Sequence, residues 1–151
     1  PLGELDWTSS TITDHDADGC RDSSLEDGDD DNDGHSDTTD ACPVGITGAG
    51  NDFDVDGCKD SEDNDDDNDG VSDGSDSCSQ GELGWSSGTV TDHDSDGCRD
   101  TSEDSDDDND GVTDVADPCP TGSTNWPSTW NSDFDADGCK DSFEDEDNVG
   151  D

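Results

Sequence analysis

The sequence has no methionine and no tyrosine, and only 21% of its 151 residues are hydrophobic, a share that includes seven cysteines. A chain this poor in aliphatic side chains cannot bury enough apolar surface to offset its conformational entropy, and without other support it stays unfolded. No segment approaches the roughly 20 apolar residues of a membrane span, and no signal-peptide pattern is visible. No amphipathic helical stretch occurs either. Basic residues are almost as scarce: four Lys and Arg stand against 48 Asp and Glu, for a net charge of −44. Phosphates would be repelled, which excludes nucleic acid as a partner and disfavours anionic membrane surfaces. No nucleophile–base pair or open catalytic metal site is evident, so an enzyme is not expected. No CxxC pair exists and the three His do not cluster with Cys, which argues against zinc. The N-x-[ST] sequon is absent.

The cysteines are present at nearly regular intervals, at 20, 42, 58, 78, 98, 119 and 139. In a small, core-poor chain this reads as a disulfide framework and an oxidising compartment, extracellular or at the cell surface. The chain also repeats itself. LGELDWTSSTITDHDADGCRD at Leu2–Asp22 matches GELGWSSGTVTDHDSDGCRD at Gly81–Asp100, so that Trp7 aligns with Trp85 and Cys20 with Cys98. A looser repeat relates Asn51–Asp60 to Ser132–Asp141. The reading is two units, 1–78 and 79–151, each of two half-repeats: 1–42, 43–78, 79–119 and an incomplete 120–151. By alignment a cysteine is expected before Pro1, and the native protein is expected to be a longer array. Four connectors rich in Gly, Ser, Thr and Pro (1–13, 43–51, 79–91 and 120–132) carry all four Trp. Short strands are weakly indicated at 11–13 and 89–91.

The acidic blocks have a fixed internal spacing. Three fit D-x-D-x-D-G-x-x-D-x-x-D: Asp29, Asp31, Asp33, Asp37 and Asp40; Asp65, Asp67, Asp69, Asp73 and Asp76; Asp106, Asp108, Asp110, Asp114 and Asp117. Four more carry Cys at position 7: Asp14, Asp16, Asp18 and Asp22, with the closing acid slipped to Glu26; Asp52, Asp54, Asp56, Asp60 and Asp63; Asp92, Asp94, Asp96, Asp100 and Glu103; Asp133, Asp135, Asp137, Asp141 and Glu144. All seven have Gly at position 6. Alternate carboxylates at 1, 3 and 5 curl around one cation, the glycine permits the sharp turn, and position 7 offers its backbone carbonyl. Position 12 closes a shell of the ~6–8 oxygens that Ca²⁺ prefers, whereas Mg²⁺ keeps its waters and a strict octahedron. About seven calcium ions or more are therefore expected, with Asp30, Asp66 and Asp107 uncommitted. Consecutive loops start as little as 13 or 14 residues apart, which leaves no room for EF-hand helices.

These loops, with the endings D-x-D-x-D-G-x-x-D-x-x-D-x-C-P at Asp29–Pro43 and Asp106–Pro120, resemble thrombospondin type 3 repeats over nearly the whole chain outside the connectors. The resemblance implies irregular backbone wound around strings of calcium ions, in an elongated tandem repeat stabilised by calcium and disulfides. It also implies that the Cys of the C-P step pairs with the next one, giving Cys42–Cys58, Cys78–Cys98 and Cys119–Cys139, with Cys20 joined to a residue outside this chain. Here the second Cys sits at loop position 7 rather than after the G-x-x-D step. Spacing alone leaves a second register open: Cys20–Cys42, Cys58–Cys78 and Cys98–Cys119.

The four cations, Arg21, Lys59, Arg99 and Lys140, each follow a loop Cys and are read as local charge compensation between neighbouring loops. Trp7, Trp85, Trp126 and Trp130 are expected to cover disulfides or connector backbone, and His15, His35 and His93 to face solvent. The connector Ser and Thr are candidates for O-glycosylation. Seven Ca²⁺ would bring the charge only from −44 to about −30, so the loaded chain is expected to stay extended and soluble. Folding and ion binding are then one event. The expected role is a rigid extracellular spacer or filament segment. A calcium reservoir or mineral-binding polyanion, and an adhesion module for protein or glycan, are the alternatives. Neighbouring repeats are the expected partners, including end-to-end copies that complete the half-loop at Glu144–Asp151.

Overall fold

In a computed structural model the chain is described at residues 5–142, 144 and 145; the first four residues and the acidic end at 146–151 lie outside these. Among the described residues there is neither helix nor strand, only turns and bends. The chain divides into two compact units, Pro1–Asp66 and Asp67–Asp151.

The turns are one local structure used repeatedly. In every acidic loop the residue at position 4 has left-handed backbone, from Asn109 at φ 54° to Ser95 at φ 65°, and so does the glycine at position 6. This double reversal makes successive carboxylates turn inward. The backbone amides then bond to aspartate oxygens instead of to carbonyls. In all seven loops the amide of position 7 donates to the position-5 carboxylate, as in Cys20 to Asp18 (2.7 Å), Val71 to Asp69 (2.7 Å) and Cys139 to Asp137 (2.9 Å). The glycine amide donates to the first aspartate, as in Gly57 to Asp52 (3.1 Å) and Gly111 to Asp106 (3.0 Å). The amide of position 2 reaches forward to position 9, as in His15 to Asp22 (3.1 Å) and Asp107 to Asp114 (2.9 Å). Amides committed to side chains cannot enter a helical or sheet ladder, so the irregular backbone follows from the aspartate spacing. The segments 11–13 and 89–91 are likewise not strands. Each is a tight turn in which Ser10 or Gly88 accepts two amides, from Thr13 and Asp14 or from Thr91 and Asp92.

The disulfides are Cys42–Cys58, Cys78–Cys98 and Cys119–Cys139, and Cys20 is unpaired. Each joins the end of a loop without Cys to position 7 of the next loop. Beside each bridge the closing aspartate of the first loop folds over the glycine of the second: a Cβ on Gly97 would overlap the Asp76 carboxylate, while that carboxylate accepts the Cys78 amide at 2.6 Å. Connectors run alongside the loops and bond to their carbonyls, Gly48 to Asp31 (2.7 Å), Ser87 to Asp69 (2.8 Å) and Ser128 to Asp110 (2.7 Å). Among the described residues the apolar interior is confined to Cys58, Cys98, Cys139, Trp85 and Trp126.

Position 4 carries Asn in the three loops without Cys, and asparagine tolerates left-handed backbone. In the loop at Asp52 it carries Val55, at φ 64° and largely exposed. A β-branched residue is strained there and gains nothing from packing. Val55→Asn should therefore stabilise the calcium-loaded chain by about 1 kcal/mol, read as a raised urea midpoint with an unchanged slope; an equal or lower midpoint would refute the strain. Gly97→Ala should destabilise strongly, through both its φ of +89° and its overlap with Asp76, whereas Gly74→Ala meets no atom within 4 Å and should be nearly neutral.

Candidate metal centres

The most deeply buried side chains are aspartates: Asp14, Asp31, Asp67, Asp69, Asp92, Asp108 and Asp133 are all at most 2% exposed. A carboxylate removed from water is strongly penalised unless donors and an opposite charge replace its hydration. The donors are supplied by the loop. Asp92 takes the amides of Asp96 (3.1 Å) and Gly97 (3.2 Å) and the Ser87 hydroxyl (2.5 Å). Asp14 is held in the same way by Ser9 and Gly19, and Asp133 by Ser128, Asp137 and Gly138. In the loops without Cys the position-3 aspartate is held from the connector, with Gly45 donating to Asp31 (2.9 Å), Gly81 to Asp67 (2.8 Å) and Gly122 to Asp108 (3.0 Å).

Of the cations, Lys59, Arg99 and Lys140 lie against connectors. Lys59 is buried, but its ammonium bonds the Ile46 carbonyl and its stem lies against Gly50. Arg99 pairs with Glu82 of the connector (2.9 Å) and lies 5.9 Å from the Trp85 ring centroid. Lys140 lies 5.1 Å from that of Trp126. These three cations pack on connectors rather than between loops, which differs from the expected role, because a flat indole and a bare carbonyl offer them partners. Trp85 and Trp126 are buried under them, whereas Trp130 is 72% exposed. The histidines differ too: none is fully exposed. His15 and His93 bond connector carbonyls, and His35 lies 3.5 Å from Asp52.

What remains is a set of carboxylate oxygens buried without a hydrogen-bond partner, including Oδ2 of Asp76, Asp110 and Asp117. The side chains of Asp14, Asp16 and Asp18, and of Asp29, Asp31 and Asp33, can each bring one oxygen within 4.8 Å of the others. Buried oxygen-only donor sets of this kind fit a hard divalent cation, and calcium tolerates their irregular geometry best. Burial followed by neighbouring like charge raises the proton affinity of several members. Burial, then Asp67, Asp69 and Asp96, pushes Asp76 up to about 6. Burial, then Asp110 and Asp117, lifts Asp108 to about 6. Asp14 moves the other way, held below the usual range first by the Ser9 hydroxyl.

Beside ligands already expected, such as Asp22, the structure also gathers acids that counting twelve positions from each loop start missed or left uncommitted. Asp22, Asp27 and Asp30 approach within the same 4.8 Å, and Oδ2 of Asp27 and Oδ1 of Asp30 are buried without a partner. Asp104 Oδ2 and Asp107 Oδ1 repeat this in the second unit, where burial and then Asp114, Asp100 and Asp104 push Asp107 up to about 7. The signal was present in the sequence: Asp27, Asp63 and Asp104 each stand two residues before the next loop. Each caps that loop's entry with backbone bonds, such as Asp106 to Asp104 at 2.9 Å. Of the expected closing acids, Glu144 turns to the connector, taking the Ser123 hydroxyl (2.7 Å) and the Lys140 amide (3.2 Å). Glu103 stands against Gly81, where a Cβ would lie 2.6 Å from its Oε1. Glu26 is exposed. Asp40 and Asp117 lie instead at their disulfides, bonded to the amides of Cys42 and Cys119. Asp65 lies in the first unit, its amide donating to the Asp63 carboxylate (3.1 Å), whereas Asp67, Asp69 and Asp73 belong to the second.

No curated protein matches the chain. A family model does match within it. Residues 91–125, which hold the loops beginning at Asp92 and Asp106 together with Cys98 and Cys119, match the thrombospondin type 3 repeat. The backbone and hydrogen bonds of those two loops recur in the loops that begin at Asp14, Asp29, Asp52 and Asp133. Residues 91–125 are thus similar to the thrombospondin type 3 repeat, and the loops outside that segment share its irregular backbone.

Proposed function

We propose that this chain is a structural segment, an extracellular spacer or filament piece whose order depends on about seven or more bound calcium ions. The observation that carries this reading is an interior of buried aspartates, several of whose carboxylate oxygens, such as Oδ2 of Asp76, Asp110 and Asp117, have no hydrogen-bond partner. Calcium would supply the opposite charge when bound. The loops and the clusters at Asp22, Asp27 and Asp30 and at Asp100, Asp104 and Asp107 would hold it. Extracellular modules of this kind bind calcium with dissociation constants on the order of 10⁻⁴–10⁻³ M, which suits a compartment where calcium is abundant. Disulfides also suit an oxidising compartment. A reservoir needs only charge. Here every connector is bonded to loop carbonyls or carboxylates and two are pinned under a cation, which favours shape over storage. The partners proposed are neighbouring repeats of the same protein, including copies joined end to end.

Chelation should abolish the near-ultraviolet circular dichroism and red-shift the emission of the buried Trp85 and Trp126. An unchanged spectrum in calcium-free buffer would remove the basis of the reading. Small-angle scattering of the calcium-loaded chain should give an extended particle, and a compact one would sink the spacer role while leaving calcium binding intact.

The pH response should change sign with calcium. Without the ion, Asp30, Asp76, Asp94 and Asp108 are lifted to about 6 and Asp107 to about 7, against about 3.9 in the unfolded chain. The folded state then holds more protons than the unfolded one between about pH 4 and 7, so its stability falls as pH rises through that window. Metal-free protein should gain order on acidification from pH 7 to pH 5. Calcium-loaded protein should lose it, because protons displace the ion from the same oxygens. Tryptophan emission followed across pH in both states checks this, and matching trends would contradict it.

A further inference from the structure

In the four loops that carry Cys, position 2 is His or Phe rather than an acid, and in two of them its side chain ties one loop to the next. His15, in the loop at Asp14, bonds through Nε2 to the Gly45 carbonyl at 2.8 Å. A carbonyl can only accept, so the ring donates. The amide of the same Gly45 donates to Asp31, a buried carboxylate of the following loop, at 2.9 Å. The second unit repeats the arrangement: His93 Nε2 donates to the Gly122 carbonyl at 3.0 Å, and the Gly122 amide donates to Asp108 at 3.0 Å. One peptide residue is thus gripped by both loops. There is no slack in the grip, because a Cβ on Gly45 would lie 2.8 Å from Glu62 and one on Gly122 would lie 3.0 Å from Asp108. A second tie runs parallel to it, from the Asn32 side-chain amide to Asp16 and from Asn109 to Asp94. The protein holds its own contrast. The loops at Asp52 and Asp133 carry Phe53 and Phe134 at position 2, which cannot donate and stand 36% and 59% exposed.

We propose that His15 and His93 are positioning residues that couple adjacent calcium loops, so that the pairs starting at Asp14 and Asp29, and at Asp92 and Asp106, load cooperatively. The inference rests on the calcium reading above. Orienting Asp108 in its loop fixes Gly122. Gly122 then fixes His93, which lies between Asp92 and Asp94. The ordering penalty of the second loop is therefore partly met by the first, which is positive coupling in thermodynamic terms.

The test is calcium titration of the whole chain, wild type against the double variant His15→Phe with His93→Phe, and against His15→Gln with His93→Gln, which restores a side-chain donor. Ion number is measured by equilibrium dialysis, and steepness by tryptophan emission. In the Phe variant the number of ions at saturation should equal that of wild type. The Hill slope should fall and the midpoint should rise about fivefold or more, the lower end of typical coupling. The Gln variant should keep most of the wild-type slope. A Phe variant that titrates like wild type overturns the coupling. So does a loss of ions at saturation in both variants, which would make the imidazole part of the fold alone. Failure of the wild-type chain to take up calcium would instead remove the calcium reading itself.

Discussion

The constraint on which this structure depends is the burial of like charge. Among the described residues eleven buried aspartates occupy the positions that aliphatic side chains take in an ordinary domain, and the apolar interior is reduced to three half-cystines and two indoles. Buried ionised carboxylates are costly unless every lone pair finds a donor or a cation. The loop meets part of that demand with its own amides, and this alone explains the backbone. Helices and sheets satisfy carbonyls with amides, whereas these loops give their amides to aspartate oxygens, so no ladder can start. The oxygens that remain bare, on Asp76, Asp110 and Asp117 among others, are the residue of an account that the polypeptide cannot close with its few cations.

Disulfides and loops share one geometry. Position 7 of such a loop contributes through its backbone: its amide donates to the position-5 carboxylate whether the residue is His35 (2.7 Å), Val112 (2.7 Å) or Cys98 (2.9 Å). The side chain there is free to do something else, and in three loops it forms the bridge to the preceding loop. The bridge lies beside the aspartate that closes that preceding loop, and the aspartate lies on the glycine that turns the next one, so linking the two loops demands no departure from the loop backbone. Each closed segment is 16 or 20 residues apart in sequence, and cross-links of that span restrict the unfolded chain by roughly 3 kcal/mol.

Much of this was legible in the spacing of Asp and Gly. The seven loops, their glycine turns and the absence of helices follow from which residues stand at positions 1, 3, 5 and 6. The strand-like TIT and TVT were misread because β propensity speaks only where a partner strand exists; here Ser10 and Gly88 satisfy the backbone locally. Asp27, Asp30, Asp104 and Asp107 were missed, or left unassigned, because counting from the start of a loop hides acids that belong to the entry of the next one. The roles of His15, His93 and the cations were not legible at all. They depend on residues about 15 to 30 positions away, and no local pattern records such contacts.

Within each unit the loops are alike but differ in how they are joined. Where position 2 is His, the connector beyond the next cysteine is gripped from both sides; where it is Phe, the ring stands partly or largely in solvent. Where a connector holds Trp85 or Trp126, a cation covers the ring; connector 43–51 lacks Trp, and Lys59 fills its place with an aliphatic stem against Gly50. Loop positions 1, 3, 5 and 6 are uniform because the ion chemistry permits little else. Position 7, position 2 of the loops with Cys, and the connectors vary because only their backbone is required by the loop. Variation at those places therefore changes how tightly neighbouring loops are tied without changing what each loop can hold, and it is there that one such repeat can be made stiffer or looser than another.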